Sequence, residues 1–407
     1  MRPDRRLGVV VLVDRLVHGG AERLAEDLAT QLDSERFATT LCVSRWTDLG
    51  HARGREIPER LQAAGEAAGV QFLGLARRGT WDVAAWRPLV RLLRSGKVQV
   101  IHGHMLGSNV WAVVLGRLTG IPVIVAHEHS WAFSGSHRRR LLDRHLIARG
   151  SDALIACSAE DRRRMIEIEG IAPRDVVLVP NGIAPRAPNP SRDVRRELGI
   201  ARSTPVVGSV GMLRAEKRFD ILVWAAAELV ARRPEACVLI AGEGPERARL
   251  EALVAELGLS HSVRLLGARD DVPDVLAALD VAVTCSDFEG APLSVLEYMQ
   301  AALPVVATRV GGLPHLLQDG VHGLLVPRRD PAALAEALAA LVGDPARGRA
   351  MGAAGRARQR AEFDLDVMVA RVEELYERLY ANSESRRRFC PLGAKTRAAG
   401  TKPIVRA

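Results

Sequence analysis

Short runs of apolar residues alternate with stretches of helical period along almost the whole chain. "LGVVVLV" precedes "GGAERLAEDLATQL", "VQVIHGH" precedes "SNVWAVVLGRL", and "PVIVAH" and "ALIACS" follow. These runs are rich in β-branched residues and show no in–out alternation, as strands buried on both faces do. Such strands separated by helices predict parallel sheets with helices on each side. After "VVLVPNGIAPRAPNPS" the pattern begins again. "PVVGSVG" leads into "FDILVWAAAELVAR", and "CVLIAG", "VRLLG", "VAVTC" and "PVVAT" each have a helical partner. The expected fold class is α/β, with two doubly wound, Rossmann-like domains and ligands at the carboxyl ends of the strands.

Punctuation sets the expected boundaries. Three prolines between Gly182 and Ser191 mark a linker. The first domain is placed at residues 1–185, the linker at 186–191 and the second domain at 192–363. A closing helix, "LDVMVARVEELYERLYA", takes 364–381, and 382–407 reads as a basic, disordered tail. The halves repeat an architecture without a sequence repeat.

Composition narrows the function classes. At 407 residues, 48% hydrophobic and 26% charged, the chain suits two globular domains. A net charge of +9 favours anionic partners, although the charge is spread along the sequence. The five cysteines are far apart, odd in number and without a C-x-x-C pair. That excludes a cysteine zinc site or disulfide framework and predicts a reducing compartment. The start, "MRPDRRLGVVVLVD", reads as a first strand rather than a secretory signal. No run approaches the ~20 apolar residues of a membrane span. The expected location is cytoplasmic. The arginine runs "SHRRRLLDRH" and "DRRRM" and the basic tail suggest peripheral contact with anionic lipid at the inner face of the membrane. Nucleic acid is disfavoured, because aromatics make up only 4% and none interleaves these runs.

The stretch "DFEGAPLSVLEYM" follows a strand and opens a helix. Pro292 suits the first helical turn, and Leu293, Leu296 and Gln300 share a face. The small Gly290 and Ala291 leave the backbone N–H groups at the helix start open, a ready seat for phosphate. Glu289 precedes the helix, and Glu297 lies roughly 7 Å along it at about 1.5 Å per residue. A diphosphate at this helix end would have a carboxylate on each side, and carboxylates accept from hydroxyls. Alone, the pair reads equally as a loop acid and a solvated helix charge.

The surrounding motifs change that balance. "EGAPLSVLEYMQAALPVVATRVGGLPHLLQDGVHGLLVPRRD" resembles the donor-binding signature of glycosyltransferase family 4, of GT-B fold. "GGAERLAEDLA", "VPNGI", "GMLRAEKRFDIL" and "AGEGPERARLE" extend the resemblance to about Tyr380. It implies a retaining, nucleotide-sugar-dependent hexosyltransferase that needs no metal or other cofactor. The domains would face each other across a cleft, acceptor in the first and donor in the second. Glu297 would bind the ribose and Glu289 the transferred sugar. The backbone of Gly290, Ala291, Pro292 and Leu293 would hold sugar and phosphate. Lys217 and the helix end would neutralise the leaving diphosphate. The family's second cation follows the glycine of "GMLRAEK"; that position is Met212 here, and Arg214 is the substitute. Ala302 stands for the usual Gly and His315 for the usual Glu. Gly19 and Gly20 would face the donor, and backbone around Leu266 would meet the base.

Histidines mark the first domain, in "IHGHM" and "VAHEHSW". Strand-end histidines can bind sugar hydroxyls or assist an acceptor. The resemblance points to His129, with His127 as the alternative, and to His104. It therefore implies His129, Glu289 and Lys217 at the reacting centre. A metal is disfavoured, because H-x-H spacing on one strand offers no nearby acid or cysteine. "AGEGPER" lacks the third glycine of a dinucleotide fingerprint, since Arg247 stands there, and "RDDVPD" is not D-x-D. The expected partners are a UDP- or GDP-sugar and a glycan, lipid-linked or small-molecule acceptor, in cell-surface glycan or glycolipid synthesis. A non-catalytic nucleotide-sugar-binding protein, or a phosphorylase or epimerase on the same fold, is the alternative.

Overall fold

The structure is a computed structural model and describes residues 6–16, 19–45, 68–79, 82–129 and 136–389. The expected start of the signal-like segment and most of the tail lie outside the described residues. Two parallel sheets form. The first runs β3-β2-β1-β4-β5-β6-β7, from β1 (Leu7–Val13), β2 (Phe37–Val43), β3 (Gln71–Gly74), β4 (Val100–His104), β5 (Val123–Glu128), β6 (Ala153–Ala156) and β7 (Val176–Leu178). The second runs β10-β9-β8-β11-β12-β13, from β8 (Val206–Val210), β9 (Cys237–Ala241), β10 (Val263–Gly267), β11 (Val281–Thr284), β12 (Val305–Thr308) and β13 (Gly323–Val326). Each sheet reverses its winding beside its first strand, at β1/β4 and at β8/β11. A crevice at the strands' carboxyl ends forms at such a switch point.

Burial explains the apolar runs. Every residue of β1, β4, β5, β9, β11 and β12 is buried, because helices cover both faces. Short polar side chains start the helices. Ser158, Asp193, Asp330 and Asp344 each accept a backbone N–H at a helix N-cap. Pro331 and Pro345 occupy first helical positions, where no N–H is missed.

The chain crosses between the two sheets twice, side by side. Ile183 and Asp364 form a parallel bridge, with Ile183 N–H donating to Phe363 O at 3.1 Å and Leu365 N–H to Ile183 O at 3.1 Å. The closing helix, Leu365–Phe389, packs on the first sheet. Its Met368, Val372, Leu375 and Tyr376 join the core of β1, β2 and the helix Gly20–Gln31. This helix runs to Phe389, past the end expected at 381, because no glycine or proline stops it and Glu384 and Arg386–Arg388 favour the helix.

Two departures from the family pattern are local. Ala302 has φ 56°, in the left-handed region where glycine is favoured. His315 is exposed, and its carbonyl accepts from Arg358 Nη2 at 2.9 Å. Ala302→Gly is expected to raise unfolding free energy by roughly 1 kcal/mol by relieving the left-handed backbone. Chemical denaturation checks it, and an unchanged or lowered stability would count against strain at this turn.

Candidate active site

The loop after β11 carries the donor-side residues. Glu289 is 7% exposed, yet its Oε1 accepts from Lys217 Nζ at 2.6 Å and from Ser286 Oγ at 2.5 Å. A buried carboxylate requires such partners. The loop backbone is held in turn. Thr308 Oγ1 donates to Ser286 O at 2.7 Å, and Gly312 N–H donates to Glu289 O at 2.9 Å. A Cβ on Gly312 would stand 1.9 Å from Gly290 O, so only glycine lets the two loops stack this closely. Lys217 ends a short turn, Ala215–Lys217, whose carbonyls at Lys217 and Arg218 accept from Cys285 Sγ at 3.3 and 3.2 Å.

The helix Leu293–Gln300 starts at this loop, with Pro292 as its N-cap in extended conformation. This corrects the placement of Pro292 in the first turn: its φ of −68° fits a helix, but its ψ of 123° does not. Leu296 is fully buried in the second domain's core and Leu293 packs against the same core, while Leu293, Glu297 and Gln300 are half-buried. Ala291 is fixed from the linker side by Asn181 Nδ2, which donates to its carbonyl at 3.0 Å.

The first domain closes on this helix end. A Cβ on Gly20 would lie 3.3 Å from Leu293 Cδ1. A Cβ on Gly290 would stand 3.0 Å from Asp161 Oδ2 and 3.5 Å from His129 O. Arg23, on the helix that Gly20 opens, donates to Glu297 Oε1 at 2.5 Å. Glu22 folds back over Gly19, and burial raises its pKa against the lowering pull of Arg214. Arg214 is therefore a cleft-mouth cation, 3.9 Å from Glu216, while Met212 is 42% exposed. Leu266 is skipped where β10 pairs β9, a bulge between Leu265 and Gly267 that leaves its backbone outside the ladder.

His104 ends β4 and His127 pairs with it in register on β5, with His129 just beyond. His104 Nδ1 and His129 Nε2 are 2.9 Å apart. The strand spacing did not reveal what joins them: His102 stacks on His104 and His127, and Cys157 at the end of β6 reaches both His127 Nε2 (3.4 Å) and His129 Nδ1 (3.7 Å). The sequence argument that no cysteine lies near these histidines is thus corrected by the register of β5 and β6. Burial pushes all four imidazoles down, His129 to about 3, and holds the Cys157 thiol well above its usual range. Next to them, Glu128 is pushed up to about 7 by burial, against Arg139 at 3.0 Å.

The structure thus brings Gly19, Gly20, Lys217, Glu289, Gly290, Ala291, Pro292, Leu293 and Glu297 to one place, with His129 beside it. Arg23, Asp161, Asn181, Cys285 and Ser286 were missed. Arg23 lies within the quoted "GGAER" and Asn181 within "VPNGI", but a contact across domains has no sequence spacing to reveal it.

Two facing doubly wound domains with helix ends and loops meeting at their switch points define the GT-B fold. The profile "Glycosyltransferase Family 4" matches residues 18–186 and "Glycosyl transferases group 1" matches residues 190–358. D-inositol 3-phosphate glycosyltransferase of Thermobispora bispora is 32% identical over 324 residues, covering 74% of each chain. UDP-Gal:alpha-D-GlcNAc-diphosphoundecaprenol alpha-1,3-galactosyltransferase of Escherichia coli is 28% identical, covering 65% of this chain and 71% of its own. The crystal structure of Anabaena HepE with UDP and glucose superposes with TM-score 0.77 at 21% identity, over 91% of this chain and all of that one. The chain belongs to glycosyltransferase family 4.

Asp161 gives a pH test of the domain contact. Its Oδ2 accepts from Ser158 Oγ at 2.7 Å, its Oδ1 has no partner, and burial raises its pKa to about 6. A carboxyl raised in the fold contributes stability below its unfolded pKa and loses it as pH rises through the folded one. Asp161→Asn should therefore gain on the wild type between about pH 4 and 6, by about 1–3 kcal/mol. Unfolding free energy measured across that range checks it; a pH-independent difference would contradict the burial argument.

Proposed function

We propose that this glycosyltransferase moves a hexosyl group from a UDP- or GDP-sugar to a hydroxyl acceptor with retention of configuration. The observation that carries the reading is the pair Glu289 and Glu297 on either side of the Leu293–Gln300 N-terminus, with Lys217 beside Glu289. The diphosphate sits on the free N–H groups of the helix end, where the dipole is positive. Glu297 takes the ribose hydroxyls and the bulged backbone at Leu266 meets the base. Glu289 takes a hydroxyl of the transferred sugar, while Lys217 moves toward the leaving oxygen. UDP is favoured as the carrier, since the E. coli relative is named for UDP-Gal and HepE is bound to UDP.

Charge developing on the leaving diphosphate is met by Lys217, Arg214 and the helix end, so the reaction needs no divalent cation there. The acceptor enters from the first domain beside His129, with His127 and His104 behind it. Burial favours a neutral His129, whose two nitrogens are held by His104 and Cys157, so it meets an attacking hydroxyl by exchanging one of those contacts. The relatives' names suggest either a phosphorylated polyol or a lipid-linked sugar as acceptor. Among the described residues no helix is long and apolar enough to cross a membrane. The exposed Arg138, Leu141, Arg144 and Arg149 offer a peripheral contact to an anionic inner leaflet, consistent with a cytoplasmic enzyme. The exposed His315 and the remote turn at Ala302 give the non-catalytic alternative no support.

Arg23 pairs with the carboxylate that this reading assigns to ribose and competes for it. Arg23→Met should therefore tighten UDP binding several-fold, whereas Glu297→Ala and Lys217→Ala should each weaken it by at least tenfold, about 1.4 kcal/mol. Calorimetric titration of the folded variants, without added divalent cation, decides this. Wild-type affinity in both Glu297→Ala and Lys217→Ala would sink the donor assignment, and a requirement for added Mg2+ or Mn2+ would sink the metal-free reading.

A further inference from the structure

The four histidines at the ends of β4 and β5 form more than an acceptor wall. His102, His104 and His127 are each at most 1% exposed, and one nitrogen of each can be taken within 4.8 Å of one from each other ring. Their ring centroids are 4.3, 5.0 and 5.4 Å apart. One nitrogen in each has no partner: His102 Nε2, His104 Nε2 and His127 Nδ1. The other nitrogen in each is held by a neighbour.

The neighbours fix the tautomers. Cys157 has one proton, and its Sγ donates to Glu128 O at 3.0 Å. Its contacts with His127 Nε2 and His129 Nδ1 then require both nitrogens to carry the hydrogen and the sulfur to accept. His127 Nδ1 is left as a bare lone pair. His129 Nε2, also bare, accepts from His104 Nδ1–H, which leaves His104 Nε2 bare. Tyr376 OH lies 2.6 Å from His102 Nδ1 and holds that ring from its far side. His104 Nε2 and His127 Nδ1 are thus buried acceptors without donors, and His102 Nε2 is a third buried ring nitrogen without a partner. Three neutral imidazoles, each oriented by a hydrogen bond at its far nitrogen, are the arrangement of a metal site with its outer shell in place.

We infer that His102, His104 and His127 bind one divalent transition-metal ion, of the class of Zn2+ or Co2+, through His102 Nε2, His104 Nε2 and His127 Nδ1. Zinc–nitrogen bonds of about 2.0–2.1 Å place tetrahedral ligands roughly 3.4 Å apart, so the rings must draw together on binding. Imidazole ligands suit zinc, cobalt and copper rather than magnesium or calcium. The ion ties β4 to β5 beneath the cleft and is not the diphosphate's counter-ion. The inference does not rest on the donor reading.

The test uses the full chain without a histidine tag, stripped by chelator and titrated with Zn2+ against a chromogenic competitor, then with Co2+. Expected are one saturable site per chain, a raised Tm with Zn2+, and visible Co2+ bands without thiolate charge transfer. His104→Gln and His127→Gln should lose the site. Tyr376→Phe, which keeps the packing, should weaken it about 10–100-fold. Folding of each variant is checked by circular dichroism and by UDP binding. No saturable binding to the wild type overturns the inference, as does unchanged affinity in the folded Gln variants. A thiolate band would move the ligand set to Cys157 and overturn the assignment too.

Discussion

The cleft face of the second domain depends on one buried carboxylate. Glu289 leaves water only because Lys217 and Ser286 donate to the same oxygen. Those partners come from loops after different strands, Lys217 after β8 and Ser286 after β11, the two strands that flank the switch point of the second sheet. The ion pair therefore fixes where the crevice is and how the backbone runs into the helix at Leu293. A pair of this kind adds little net stability, because desolvating both charges offsets their attraction. Its value is geometric: a cation and an acid are held ready at the helix end before any ligand arrives.

The second constraint is that the two halves share one helix. The closing segment is last in sequence, yet it completes the core of the first domain, with Tyr376 reaching His102 beneath the cleft. The two crossings meet as a single bridge at Ile183 and Asp364. A pair of adjacent strands of backbone can bend together while each core stays intact, which suits closure around a substrate. The contacts across the cleft include Arg23 with Glu297, Asp161 beside Gly290 and Leu293 against the first domain's core.

The fold and the course of the loop into the helix at Leu293 were legible for the same reason. Unbroken β-branched runs admit only a doubly covered parallel sheet, and the stretch from Glu289 to Leu293 is contiguous in the chain. The errors follow from local rules applied where tertiary context decides. Pro292 can start a helix or cap one, and the packing of Ala291 against Asn181 selects the cap. No glycine or proline stops the last helix, so it runs to Phe389. Arg23 could not be found by periodicity, because its partner is 274 residues away.

The histidines show the same limit from the other side. Spacing along β4 puts His102 and His104 on one face, since alternate residues of a strand share a side. It says nothing about the neighbouring strand. The register that pairs His104 with His127 supplies the third ring, and the next strand supplies Cys157. Parallel sheets gather side chains this way because every strand ends at the same edge. Neutral rings stacked there without charged partners must share a single proton order. That order runs from His104 through His129 to Cys157 and on to the Glu128 carbonyl. The bare nitrogens of His104 and His127 follow from that order, and so from the register that sets it.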